Sequence, residues 1–117
     1  MSRPVLYVCA PYSTRTPDEA VDTLHAVRGA IERGYCPVFA PFMFERLLSD
    51  ENPAQRATGI ACGLTLLDHA DAIVVVGERL TKGMRTELGR WRGPTFFWPE
   101  LPAARELAKE VTPAPLA

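Results

Sequence analysis

Two short runs of the chain are apolar without a break: Val5-Leu-Tyr-Val-Cys9 and Ala72-Ile-Val-Val-Val76. A strand turns successive side chains to opposite faces of its sheet. One with a wet face therefore alternates apolar and polar residues, and these two do not. Both faces of each must be covered, as in a parallel sheet enclosed by helices. Their β-branched and aromatic residues suit a pleated, buried surface. Pro4 and Pro11 bound the first run, and Gly77 ends the second.

Between the runs the period changes. Thr16-Pro17-Asp-Glu has the layout of a helix start, with a hydroxyl as N-cap, proline at the first helical position and acids in the first turn. Ala20, Leu24, Val27 and Ile31 recur at three- and four-residue spacing and are expected to form the helix's apolar face. Gly34 ends it. Tyr35–Ala40 reads as the second strand, and its Pro37 suits a sheet edge or the beginning of a strand. Phe42–Leu48 reads as a short helix or an ordered flap, and Ser49–Asn52 as a turn. Pro53 opens a second long helix through about His69, with Ile60, Leu64 and Leu67 on one face. Gly59 and Gly63 weaken that helix by about 1 kcal/mol each relative to alanine, so close packing or a ligand is the expected reason for them. Ala72–Val76 is the third strand, Gly83–Trp91 the third helix, Thr95–Trp98 the fourth strand and Ala103–Val111 a final helix.

The order β-α-β-α-β-α-β-α predicts an α/β three-layer sandwich. Its parallel sheet is Rossmann-like or flavodoxin-like, with helices on both faces and right-handed crossovers. The 117 residues suffice for one core. A single domain is expected over residues 1–111, with a loose tail over 112–117. A net charge of −1 gives no electrostatic case for a nucleic-acid polymer or a membrane surface as partner. No apolar run approaches the roughly 20 residues that span a bilayer, and the start of the chain lacks a signal-peptide layout. Cys9, Cys36 and Cys62 are an odd set without metal-ligand spacing, and read as reduced thiols of a cytoplasmic protein. Cys9 in particular reads as a buried, inert core thiol. With two histidines and no paired Cys/His motif, neither a metal nor a redox cofactor is expected.

The polar chemistry gathers after the third strand. Ala70-Asp-Ala-Ile-Val-Val-Val-Gly77 runs out at a glycine, and Thr81-Lys-Gly-Met-Arg-Thr-Glu87 opens a helix. In open α/β sheets ligands bind where parallel strands end and helix N-termini face them. Thr81, Gly83 and Met84 place a hydroxyl and backbone N–H groups there, suited to a phosphate or sugar, with Lys82 and Arg85 as further phosphate contacts or solvated cations. Glu87 is expected on the first turn of that helix. A carboxylate aimed at a sugar can attack an anomeric carbon; the alternative is an ordinary acid near a helix N-terminus. Tyr7 is a core aromatic or a hydroxyl donor to Glu87. Ala10-Pro-Tyr-Ser13 leaves the first strand toward the same end of the sheet. Asp68 and Asp71 belong to the opposite end. Asp18 and Glu19 reach the pocket or compensate a helix N-terminus. His25 reads as packing or surface, and His69 as a helix-end cation. Phe42 and Phe44 suit a stacked nucleobase or a contact between copies of the chain.

Four segments, Val5–Ser13, Gly34–Pro41, Leu67–Gly77 and Thr81–Glu87, together resemble an uncharacterised bacterial and phage family of the nucleoside 2-deoxyribosyltransferase-like superfamily. That superfamily also holds 2′-deoxynucleoside 5′-monophosphate N-glycosidases and a cytidylate hydrolase. The resemblance covers roughly residues 4–98. It implies Glu87 as catalytic nucleophile at C1′ and Tyr7 as the residue that orients it. It also implies Thr81 and Gly83 as the phosphate turn, and Ala10, Pro11, Tyr12 and Ser13 as pocket lining. Leu80-Thr81 and Cys62-Gly63 stand where the superfamily has aspartates, and Phe42 where related chains have histidine. The segment between Glu87 and Pro94 is about one helical turn shorter than usual. The implied function is N-glycosidic cleavage or transfer on a nucleoside or nucleoside 5′-monophosphate. The alternative is a catalytically silent nucleotide-binding or sensing protein with the same pocket. A purely structural role is a third reading, against which the polar Thr81–Glu87 turn argues. A homodimer or higher homo-oligomer is the expected assembly.

Overall fold

The computed structural model describes residues 2–45, 47–49 and 51–107. Four strands form one parallel sheet: β1 Val5–Cys9, β2 Cys36–Val38, β3 Ala72–Val75 and β4 Thr95–Phe97, in the order β2-β1-β3-β4. The two unbroken apolar runs lie side by side in the middle. Leu6 pairs with Ala72 and Cys9 with Val75, and all four residues of β3 are buried. β2, which carries Pro37, is an edge strand, where a missing N–H leaves no ladder bond unmade.

Chain order reverses at the centre. From β1 the chain passes through α1 (Pro17–Glu32) to β2 on one side. From β2 it passes through α2 (Ala40–Phe44) and α3 (Pro53–Asp68) back over β1 to β3, and α4 (Lys82–Arg90) leads on to β4. Right-handed crossovers in opposite directions need opposite faces of the sheet. The core divides accordingly. Leu6, Val8, Ala72 and Val74 pack with Ala26 and Ala30 of α1 and with Leu101. Tyr7, Cys9, Ile73 and Val75 pack with Leu67 of α3 and Met84 of α4. The architecture is therefore an α/β three-layer sandwich of flavodoxin-like strand order. Burying each Leu, Ile or Val side chain contributes about 1.5–3 kcal/mol.

Local chemistry sets the boundaries. At α1 the Thr16 hydroxyl accepts from Glu19 N at 3.2 Å, and the Glu19 carboxylate accepts from Thr16 N at 2.9 Å. This is the reciprocal capping box. After α1, Gly34 takes φ +97°, a conformation that favours glycine. Asn52 caps α3 by accepting from Ala54 N and Gln55 N. At the far end of the sheet Asp71 accepts from Val5 N at 2.7 Å, and Arg90 joins α4 to Asp68 of α3 through two bonds of 2.8 and 2.6 Å.

Several boundaries and faces differ from the sequence expectation. The buried face of α1 is Thr23, Ala26, Gly29 and Ala30, whereas Leu24 and Ile31 are exposed. The cause lies far along the chain. A Cβ on Gly29 would stand 2.1 Å from the Trp98 ring, so only the small-residue face admits that indole. Of Ile60, Leu64 and Leu67, expected on one face of α3, Leu67 is buried, whereas Ile60 is exposed and borders an open cleft. β2 is three residues long because the chain turns into α2 at Ala40. The expected last helix begins as a 3-10 turn over Ala104–Glu106; its residues 108–111 and the expected tail lie outside the described residues. Among the described residues no helix is long and apolar enough to cross a membrane.

Candidate functional site

A cleft of about 1120 Å³ opens at the ends of β1 and β3, where the chain order reverses. Its walls come from the loop after β1, from α2 and the segment beyond it, from one face of α3, and from the start of α4. This crevice, outside the carboxyl ends of the strands, is where open α/β sheets bind ligands.

Glu87 lies on the second turn of α4 rather than the expected first, because the helix already begins at Lys82, and its half-buried side chain points back over β1. The Tyr7 hydroxyl donates to Glu87 Oε2. Cys9 Sγ lies 3.6 Å from Oε1. Tyr7 and Cys9 are two residues apart on one strand and so share a face. Both oxygens of one carboxylate therefore have a donor on the strand beneath. Burial pushes the Glu87 carboxyl above the ordinary carboxylate range, and the bonds from Tyr7 and Cys9 offset part of that rise. Tyr7 and Cys9 are raised well above their ordinary values by burial first and by the Glu87 charge second. Both remain protonated donors at neutral pH.

Thr81 closes the start of α4. Its Oγ1 accepts from Met84 N at 3.2 Å, and its own N–H points to Met84 Sδ at 3.5 Å. The Met84 side chain is buried beneath the turn. Lys82 and Gly83 occupy the first two helical positions, whose N–H groups have no carbonyl one turn earlier to bond. Their N–H groups and the helix dipole favour an anion at this end of the cleft. Lys82 lines the wall at this end, and Arg56 of α3 also lines the cleft. Arg85 does not.

Of the residues expected to contact ligand, Tyr7, Ala10, Tyr12, Ser13, Thr81, Gly83, Met84 and Glu87 all line this one cleft. Pro11 does not: it is buried, outside the cleft walls. Of the expected aromatic covers, Phe44 lines the cleft. Phe42 instead stacks edge-on against Phe39 at 4.6 Å and borders a separate shallow hollow. Asp18 and Glu19 are not in the walls. Glu19 is held by Arg79 at 2.7 and 2.9 Å. Arg79 also donates to the Thr14 carbonyl at 3.0 Å, which ties the loop after β3 to the loop after β1. Gly63 faces the Tyr7 hydroxyl: a Cβ there would lie 3.4 Å from it and 3.5 Å from Ala40 Cβ.

Sequence reasoning missed Arg56 and read Cys9 as inert. Both left a signal. Arg56, Gly59 and Gly63 recur at three- and four-residue spacing, one face of a helix. Cys9 follows Tyr7 by the strand period. Glu45 and Glu51 also line the cleft, and among the described residues no histidine does. Among the described residues no cluster of His, Cys, Asp and Glu could hold a metal ion.

The model of a family described as a domain of unknown function, DUF7768, fits residues 4–93. That span takes in β1 through α4, and with them every wall of the cleft. No curated protein matches the chain.

Proposed function

The chain belongs to the DUF7768 family of unknown function, and we propose that it cleaves or transfers the N-glycosidic bond of a nucleoside 5′-monophosphate, with Glu87 as nucleophile. One observation carries the reading. Glu87 is a carboxylate held by a protonated tyrosine in a cleft that the N-terminus of its own helix, α4, also lines. A pyranose or furanose centre losing its leaving group becomes oxocarbenium-like, and a fixed carboxylate stabilises it or bonds to it. The Lys82-Gly83 end suits the 5′-phosphate, with Arg56 as a second cation. Phe44 offers a face to the base.

The step runs as follows. A Glu87 oxygen forms a bond to C1′ as the C1′–N bond breaks, and that electron pair leaves with the base. The base nitrogen takes a proton from a donor, for which Tyr12, Glu45 and Glu51 are the titratable residues in the walls besides Tyr7, Glu87 and the cations. Water, or a second base, then attacks C1′ of the glycosyl ester and restores the carboxylate. Leu80-Thr81 and Cys62-Gly63, in place of superfamily aspartates, favour a second reading in which the pocket binds a nucleotide without cutting it.

The same reading includes self-association and a reducing compartment. Val21, Leu24 and Ile31 of α1 and Met43 of α2 are exposed apolar side chains available to a second copy. Cys9, Cys36 and Cys62 are all free thiols, the form a reducing cytoplasm preserves.

The test is incubation with ribo- and deoxynucleosides and their 5′-monophosphates, following free base by chromatography. Base release that vanishes in Glu87→Ala supports cleavage. Thermal stabilisation by one nucleotide without release supports the silent binder. Neither response to any panel member counts against both.

A further inference from the structure

We propose that Cys9 is a positioning residue for Glu87. Its thiol donates to Oε1 while the Tyr7 hydroxyl donates to Oε2, so the carboxylate plane is fixed by two anchors. A carboxylate anchored through one oxygen still turns about the bond to its methylene. A donor at each oxygen removes that freedom, and near-attack geometry depends on it.

The placement supports this role. Cys9 Sγ lies 3.6 Å from Oε1, nearer than its other acceptor, the Met84 carbonyl, at 3.9 Å. Cys9 is fully buried and absent from the cleft walls, whereas Tyr7 and Glu87 line them. The thiol thus reaches the carboxylate from the protein side and leaves the cleft side to ligand. A thiol is a weak donor, so it sets orientation while leaving most of the carboxylate's basicity. Its C–S bond is also longer than the C–O bond of a serine, and a hydroxyl at this position would stop short of Oε1. The other titratable groups of the cleft, Lys82 of α4, Arg56 of α3, Tyr12 of the loop after β1, and Glu45 and Glu51 beyond α2, form no hydrogen bond to Glu87 among those of the described residues.

The functional meaning of the contact rests on Glu87 as nucleophile, but the contact itself is testable without substrate. In a protein carrying Cys36→Ala and Cys62→Ala, Cys9 is the sole thiol. Its S–H stretch then falls in an infrared window free of other protein bands. The expected band lies below the frequency of an unbonded thiol. It moves up as falling pH protonates Glu87, and Glu87→Ala moves it up at every pH. A band indifferent to both pH and Glu87 overturns the proposal. In the otherwise unaltered chain, Cys9→Ala is expected to lower kcat for base release by about threefold to fivefold with KM unchanged. An unchanged kcat also overturns it. Failure of the parent protein to release any base overturns the proposed reaction while the infrared result stands, so the two failures are distinguishable.

Discussion

At the scale of single residues, the site is a carboxylate kept in a place that resists its charge. The Tyr7 hydroxyl is the stronger of its two donors, and hydrogen bonds to charged groups contribute about 1.5–3 kcal/mol. Tyr7→Phe is therefore expected to lower kcat by roughly tenfold to a hundredfold. It also removes a bond that lowers the Glu87 pKa, so the acid limb of the pH–rate profile should move to higher pH. A limb that stays in place would disconnect Tyr7 from the ionisation of Glu87. Gly63 poses the opposite case. A Cβ there meets Tyr7 and Ala40 only at ordinary contact distance, so packing does not demand glycine. Gly63→Ala should raise stability by about 1 kcal/mol in a denaturant melt. The same methyl stands against the Tyr7 hydroxyl that holds the carboxylate, so nucleotide binding or turnover should fall. Parallel gains in both would show that the ligand does not use this space.

At the scale of elements, the two central strands and the caps were legible because their causes are local. An unbroken apolar run, a Thr-Pro-Asp-Glu start and a glycine stop act over a few residues. β1 occupies the expected Val5–Cys9, and β3 ends one residue short of the expected Val76. The face of α1 was not legible, because Trp98 decides it from the other end of the chain. The site was half legible for the same reason. Tyr7, Thr81 and Glu87 lie on elements whose order is readable, while the α3 wall with Arg56 depends on how a helix settles over the sheet. The Arg79 link between the two cleft loops was equally invisible, since Arg79 and Glu19 are 60 residues apart. Bonds from Arg79 and from Thr16 N hold the Glu19 carboxyl down to about 2. A depressed folded-state value stabilises the native state above the unfolded carboxylate range, and that contribution is lost as pH falls toward about 2. Arg79→Ala should bring the Glu19 titration, followed by NMR, back toward the ordinary range near 4.3. Amide exchange at Ser13 and Thr14 should quicken with it. A midpoint left at its low value would assign the shift to the helix cap alone. Thr81→Ala tests the other loop: loss of an N-cap costs about 1 kcal/mol, and Thr81→Ser should restore it.

At the scale of the whole molecule, the reversal of strand order creates the cleft, and burial beside it sets the balance between stability and chemistry. Burial raises Glu87 above the ordinary carboxylate range, whereas in the unfolded chain it titrates near 4.3. The native state therefore binds this proton more tightly than the unfolded state. Stability from this group is greatest below the unfolded value, falls as pH rises through the interval up to the folded value, and stays low above it. Tyr7 and Cys9 are raised far above neutrality and contribute no slope in that interval. Glu87→Gln keeps the shape and an acceptor for the Tyr7 hydroxyl while removing the charge. It should melt at a higher temperature than the parent at neutral pH, and the gap should close as pH falls below about 4. If Glu87 is the proposed nucleophile, its charge is held at the expense of the fold, and the same substitution should abolish base release. A variant no more stable than the parent at neutral pH would mean that Glu87 is comfortably solvated. The carboxylate would then be an ordinary acid near a helix start, and the proposed nucleophile would fall.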